Sequence, residues 1–143
     1  MADAGAVVGT WTLVSWEITE PDGTIHHPYG RHPIGYLTYT ADGFMSAEIM
    51  DPDRRQSDSN FPLEAASAQT LPDADRARAY GTYVSYCGTY TVEGDTVTHH
   101  VRAALIPSWT GSDQRRLFRL DEGRLIIGAG GHRLVWERAV TDG

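Results

Sequence analysis

Apolar and polar residues alternate along most of the chain, the period of a strand with one buried face. Thr10 to Thr19 reads as a strand, with Trp11, Leu13 and Ser15 on one side and Thr12, Val14, Trp16 and Ile18 on the other. Pro21-Asp22-Gly23 is a turn into Thr24-Ile25-His26. Ile34 to Thr40 is a second clear strand, and Ala41-Asp42-Gly43 turns it into Phe44 to Met50. Gly88 to Val92 and Thr96 to Ala103 form a hairpin around Glu93-Gly94-Asp95. Arg115 to Leu120 and Arg124 to Ile127 form another around Asp121-Glu122-Gly123, and Arg133 to Val140 closes the series. The pattern predicts an antiparallel meander of about eight to ten strands.

Residues 51 to 86 break this pattern. Asp51 to Asn60 is a polar loop, and Phe61 to Thr70 reads as a short helix. Asp73 follows Leu71-Pro72 as an N-cap, and Arg76, Tyr80, Tyr83, Val84 and Cys87 then recur at helical spacing. The spacing predicts a helix over residues 73–86 inserted in the meander. A long meander removes its edges by closing into a barrel. A barrel of this size is either filled by side chains or holds one small ligand, with the inserted segment plugging one mouth.

The chemistry concentrates in two stretches. In Thr96-Val97-Thr98-His99-His100-Val101-Arg102, alternation puts His99 with Val97 and Val101, and His100 with Thr98 and Arg102. One imidazole faces the interior and the other faces out, and which one depends on whether the interior is apolar. The inward histidine is the candidate general acid or base, because imidazole titrates near neutrality. The second stretch, Trp109-Thr110-Gly111-Ser112-Asp113-Gln114, is a loop entering a strand. Asp113 there is a candidate to orient a histidine, and Trp109 to stack on a ligand. Tyr36, Tyr39, Tyr83, Tyr86 and Tyr90 are candidate cavity hydroxyls. Arg102 and Arg116 are candidates to pair with Glu48 or with a ligand carboxylate.

Composition narrows these options. The chain has 143 residues, 41% of them hydrophobic and 22% charged, values of a single globular domain. A net charge of −7 argues against phosphate-backbone binding, so no nucleic-acid partner is expected. No apolar run approaches the ~20 residues of a membrane span. The N-terminal residues lack the charged and apolar regions of a signal peptide, and the single cysteine, Cys87, cannot form an intrachain disulfide. Both features suit a cytoplasmic protein. All twelve basic side chains are arginine, which excludes lysine Schiff-base chemistry. The six histidines lack metal-ligand spacing, and no phosphate loop, dinucleotide fingerprint or Gly-x-Ser-x-Gly elbow is present. No cofactor and no metal are expected.

Gly9-Thr10-Trp11 resembles the Gly-x-Trp signature of lipocalins, in which a late arginine covers the tryptophan; Arg138 and Arg133 both qualify here. A wider set of motifs is similar to the bacterial and fungal lipocalin-like domain family: Gly9 to Ser15, Pro33 to Ser46, Gly88-Thr89-Tyr90, Thr98 to Val101 and Trp109 to Arg116. The resemblance implies an all-β, antiparallel, up-and-down lipocalin-like barrel with a cavity, and implies little about activity. In architecture alone the chain is similar to cofactor-free barrel cyclases of polyketide pathways.

Three readings follow. The first is a cofactor-independent cyclase or isomerase acting on a hydrophobic, oxygenated metabolite. In it, His99 or His100 moves a proton, Asp113 assists, and tyrosines polarise a carbonyl. The second is a carrier with the same cavity and no chemistry; the third is an interaction protein with a filled barrel. The expected partner is a small hydrophobic molecule, with a homodimer left open.

Overall fold

The computed structural model describes residues 4–54 and 72–141. A short helix α1 (Ala4–Val7) precedes strands β1 (Gly9–Thr19), β2 (Ile25–His26), β3 (Ile34–Tyr39) and β4 (Phe44–Met50). Helix α2 (Asp73–Gly81) leads into β5 (Tyr83–Glu93) and β6 (Thr96–Ala104). A single 3-10 turn (Pro107–Trp109) then precedes β7 (Asp113–Asp121), β8 (Arg124–Ala129) and β9 (His132–Arg138). Every pairing is antiparallel: β1 pairs with β3, and from β3 to β9 each strand pairs with the next. β2 pairs only with the end of β1, and the other eight strands close into a barrel through β1 and β9. Closure satisfies the backbone of both would-be edges, and leaves one interior that every second side chain enters.

That interior is apolar towards one end. Trp11, Leu37, Val97 and Leu125 are at most 1% exposed, packed with Leu13, Met45, Phe118 and Trp136. α1 seals this end: Val7 is fully buried and its carbonyl accepts the Trp11 indole N–H at 2.9 Å. Arg138 lies over the same indole, its Cζ 3.9 Å from the ring centroid, and donates to the carbonyls of Val8 (2.5 Å) and Ala6 (3.2 Å). Of the two arginines that qualified as the cover, the structure uses Arg138. Gly9 is required by this arrangement. Its φ is +132°, and a Cβ there would sit 2.6 Å from the Arg138 Nη1.

Three expectations are corrected. In β1 the alternation does not run unbroken. A bulge between Leu13 and Ser15 shifts the register, so Leu13 opposes Trp136 while Trp16 opposes Leu134. The extra residue returns Trp16 to the interior side, where simple alternation set it against Trp11. The predicted helix over 73–86 ends at Gly81, and Tyr83 onward is strand. Tyr80, Tyr83, Val84 and Cys87 fit a helical period, but Tyr-Val-Ser-Tyr is β-branched and aromatic, and pairing with β4 decides the outcome. Asp73 is the first helical residue and ion-pairs with Arg76, with Pro72 in the cap position. The helix read over Phe61 to Thr70, and the loop beyond Arg54, lie outside the described residues.

Replacing Arg138 by alanine removes the stacked cation and two hydrogen bonds, and should destabilise the fold by about 2–3 kcal/mol. Lysine at 138 should restore little of this, because one ammonium cannot reproduce the fork. Urea unfolding of the two variants checks both statements.

Candidate functional site

The end of the barrel opposite α1 is open. There the strands bound a cavity of about 560 Å³, within the ~300–1,000 Å³ range of small-molecule sites. Six aromatic side chains face it: Trp16, Tyr29, Tyr80, Tyr83, Tyr86 and Trp109. Aliphatic wall comes from Ile49, Val84, Ile106 and Leu134, and the polar side chains are Gln114, Arg116 and His132. α2 reaches the mouth through Tyr80 and Gly81. The cavity wall is braced by aromatic contacts. Trp16 meets Tyr29 edge-on at 5.1 Å, and Tyr86 meets Trp109 edge-on at 5.8 Å.

Under the cavity lies His99, 2% exposed between Val97 and Val101. Its Nε2 is 2.6 Å from the Tyr39 hydroxyl and its Nδ1 is 2.7 Å from the Tyr86 hydroxyl. Burial, with the positive charge of Arg116 and the neighbouring His100, pulls the imidazole down to about 3 from its ordinary 6.5. It is therefore neutral at physiological pH. Burial likewise pushes the Tyr86 phenol up to about 12 and raises Tyr39 well above its ordinary value.

Counting protons fixes the tautomer. Tyr39 is 1% exposed, and its hydroxyl has no partner among the described residues other than His99. If Nε2 carried the hydrogen, the Tyr39 O–H would be left buried and unsatisfied, a cost of ~1–3 kcal/mol. Tyr39 therefore donates to Nε2. Nδ1–H then donates to the Tyr86 oxygen, and the Tyr86 O–H is free to donate to whatever occupies the cavity.

The other histidine on the cavity, His132, sits at the rim. Its Nδ1 accepts the Trp16 indole N–H at 3.0 Å, so its neutral ring carries the hydrogen on Nε2. Burial against the rim, with Arg116 and His26 nearby, lowers its pKa, and Glu20 partly opposes this.

The sequence-derived candidates separate by face. His99, Tyr39, Tyr83, Trp109 and Arg116 are brought together at or beneath the cavity. His100 and Asp113 are on the outer wall: His100 Nδ1–H donates to Asp113 at 2.8 Å, and the Thr91 hydroxyl is 3.1 Å from Nε2. This hydroxyl–imidazole–carboxylate chain lines no part of the cavity, and Asp113 cannot orient His99, because alternation puts the adjacent histidine on the other side of the sheet. Tyr36 is 51% exposed on the outer face of β3, and Arg102 is exposed on the outer face of β6. Tyr90 is buried and donates to the Thr40 carbonyl at 2.7 Å, a structural bond away from the cavity.

Sequence reasoning missed the roles of Trp16, Gln114 and His132, and placed Tyr86 in a helix. The one available signal was Val84-x-Tyr86-x-Gly88-x-Tyr90, which extends the β5 alternation backwards. Among the described residues no group of three or more His, Cys, Asp or Glu is placed to hold a metal ion. No described helix is long and apolar enough to cross a membrane.

No protein of curated function matches the chain in sequence. Among solved structures it is similar to a lipocalin-like protein from Bacteroides uniformis ATCC 8492, with a TM-score of 0.51 and 14% identity over 93% of this chain and 98% of that one. An uncharacterized protein from Bacteroides eggerthii DSM 20697 gives a TM-score of 0.49 and 12% identity, over 93% and 99% of the two chains. A redesigned β-barrel gives 0.43 and 16%, over 96% of each. The first likeness supports the fold alone. The family described as lipocalin-like domain matches residues 8–139, a span that contains the whole closed barrel, and the chain belongs to that family.

Proposed function

We propose that this barrel binds a small, hydrophobic, oxygenated molecule in its open-ended cavity. The observation that carries the reading is the wall itself: aromatic and aliphatic side chains enclose most of it. A few convergent polar groups (the Tyr86 hydroxyl, Gln114, Arg116 and His132) are left to orient a guest. A single free, exposed cysteine fits a cytoplasmic setting for such a protein.

Binding is better supported than proton transfer. A general base needs a free lone pair within reach of substrate. Both nitrogens of His99 are engaged by tyrosines, Nδ1 of His132 is engaged by Trp16, and no carboxylate is among the described residues lining the cavity. The cyclase or isomerase reading keeps one observation in its favour. The Tyr86 O–H, beside Arg116, is suited to polarise a carbonyl and hold an enolate oxygen. That activity would have to draw its base from the substrate or from water.

Two measurements test this picture. Nile red should bind the wild-type protein with a blue-shifted emission. Ala129→Trp, which fills the cavity from its wall, should weaken binding by at least about tenfold, 1.4 kcal/mol, without lowering the melting temperature. Equal binding by both proteins would mean that the dye sits elsewhere.

The second concerns pH. An unfolded chain protonates its histidine near 6.5, but the fold resists protonation of His99 until about 3. The unfolded state thus binds the extra proton between those values. The His99 contribution is intact above about pH 6.5 and is lost as pH falls towards 3, at up to ~1.4 kcal/mol per pH unit. Denaturant midpoints of wild type and His99→Phe at pH 7 and pH 4.5 should show a steeper acid loss in wild type. Imidazole nitrogen NMR of the wild type should show His99 as the neutral Nδ1–H form from pH 5 to 8.

A further inference from the structure

Resting on the proposed binding role, we infer that the guest is a flat, apolar acid whose carboxylate goes in first and pairs with Arg116 and Tyr86. Three observations converge on this. The first is a charge imbalance. The chain carries nineteen acidic and twelve basic side chains, yet no acid is among the described cavity-lining residues, whereas Arg116 is one of them. A cavity of positive sign inside a protein of negative net charge favours an anionic guest.

The second is the state of Arg116 itself. It is half-buried on the inner side of β7, opposite Val97 and one inward step deeper than Gln114, which is opposite His99. Its guanidinium donates to the Arg115 carbonyl (3.1 Å) and the Gln114 side-chain oxygen (2.7 Å), and no described carboxylate lies within ion-pair distance. Four arginine–carboxylate pairs exist elsewhere among the described residues, all with at least one partly exposed partner, so acids are available to the fold but are not placed here. A partly desolvated guanidinium without a counter-charge is costly, and a bound carboxylate would offset that cost through a bidentate pair.

The third is the direction of the Tyr86 proton. Because Tyr39 donates to His99 and His99 donates to Tyr86, the Tyr86 hydrogen points away from the chain and needs an acceptor. A carboxylate oxygen is an acceptor only, so it matches a floor made entirely of donors: the Tyr86 O–H and the Arg116 N–H groups. The aromatic side chains above it, Trp16 and Trp109 among them, favour a planar body.

Isothermal titration with a matched pair of probes separates the possibilities. 2-Naphthoate should bind wild-type protein at least about tenfold more tightly than 2-naphthalenemethanol, the gain of one charge-assisted contact. Arg116→Gln should abolish that preference, weakening the acid at least about tenfold more than the alcohol. Arg116→Lys should keep part of it, and Tyr86→Phe should reduce it. Melting curves of each variant confirm that the barrel is folded.

Equal affinity for acid and alcohol, with no effect of Arg116→Gln, would overturn the acid inference and leave the binding role standing. Failure of both probes to bind, in a protein that also fails to bind Nile red, would overturn the binding role and the acid inference together.

Discussion

A neutral imidazole has one hydrogen to give and one lone pair to fill, and inside an apolar barrel both must find partners. His99 meets that constraint with two tyrosines, 60 and 13 residues away in sequence. The consequences run in both directions. Downward, Tyr39 is tied into the packed core of Trp11, Leu37 and Val97. Upward, the single remaining proton of the chain is delivered to Tyr86, at the surface of the cavity. The histidine that the sequence presents as a base is thus held as a structural relay. The group that faces the cavity is a phenol rather than an imidazole. Ionising His99 would put a charge where burial and Arg116 both oppose it.

This hydrogen-bond chain spans the curved inner face of four contiguous strands: Tyr39, Tyr86 and His99 come from β3, β5 and β6, with β4 between the first two. The two ends of the barrel divide the work. One end is closed by α1, Trp11 and Arg138, where hydrogen bonds and a stacked cation leave no room. The other keeps its interior open, with aromatic side chains that brace one another along the wall.

The strands and turns were legible in the sequence because period-two alternation and Gly/Asp turns are local signals. Phe44 to Met50 is recovered residue for residue, and the opposite facing of His99 and His100 follows from the same rule. What failed was non-local. The bulge in β1, which turns Trp16 inward, depends on register with β9 and leaves no mark on the alternation of β1 itself. The start of β5 obeys two periods at once, and only its pairing with β4 chooses. Arg115 and Arg116 are adjacent and chemically identical, so their opposite fates follow from where β7 begins. His132 reaches Trp16 across 116 residues, a contact no local pattern encodes.

If the donor floor at Arg116 and Tyr86 receives an acidic guest, a crystal structure of the protein soaked with 2-naphthoate should show it directly. The naphthalene ring should lie among Trp16, Tyr83 and Trp109, with the carboxylate oxygens ~2.7–3.0 Å from the Arg116 guanidinium and the Tyr86 hydroxyl. A carboxylate turned out to the mouth, or a naphthoate bound on the outer wall at Arg102 and Arg115 with the cavity empty, would contradict it.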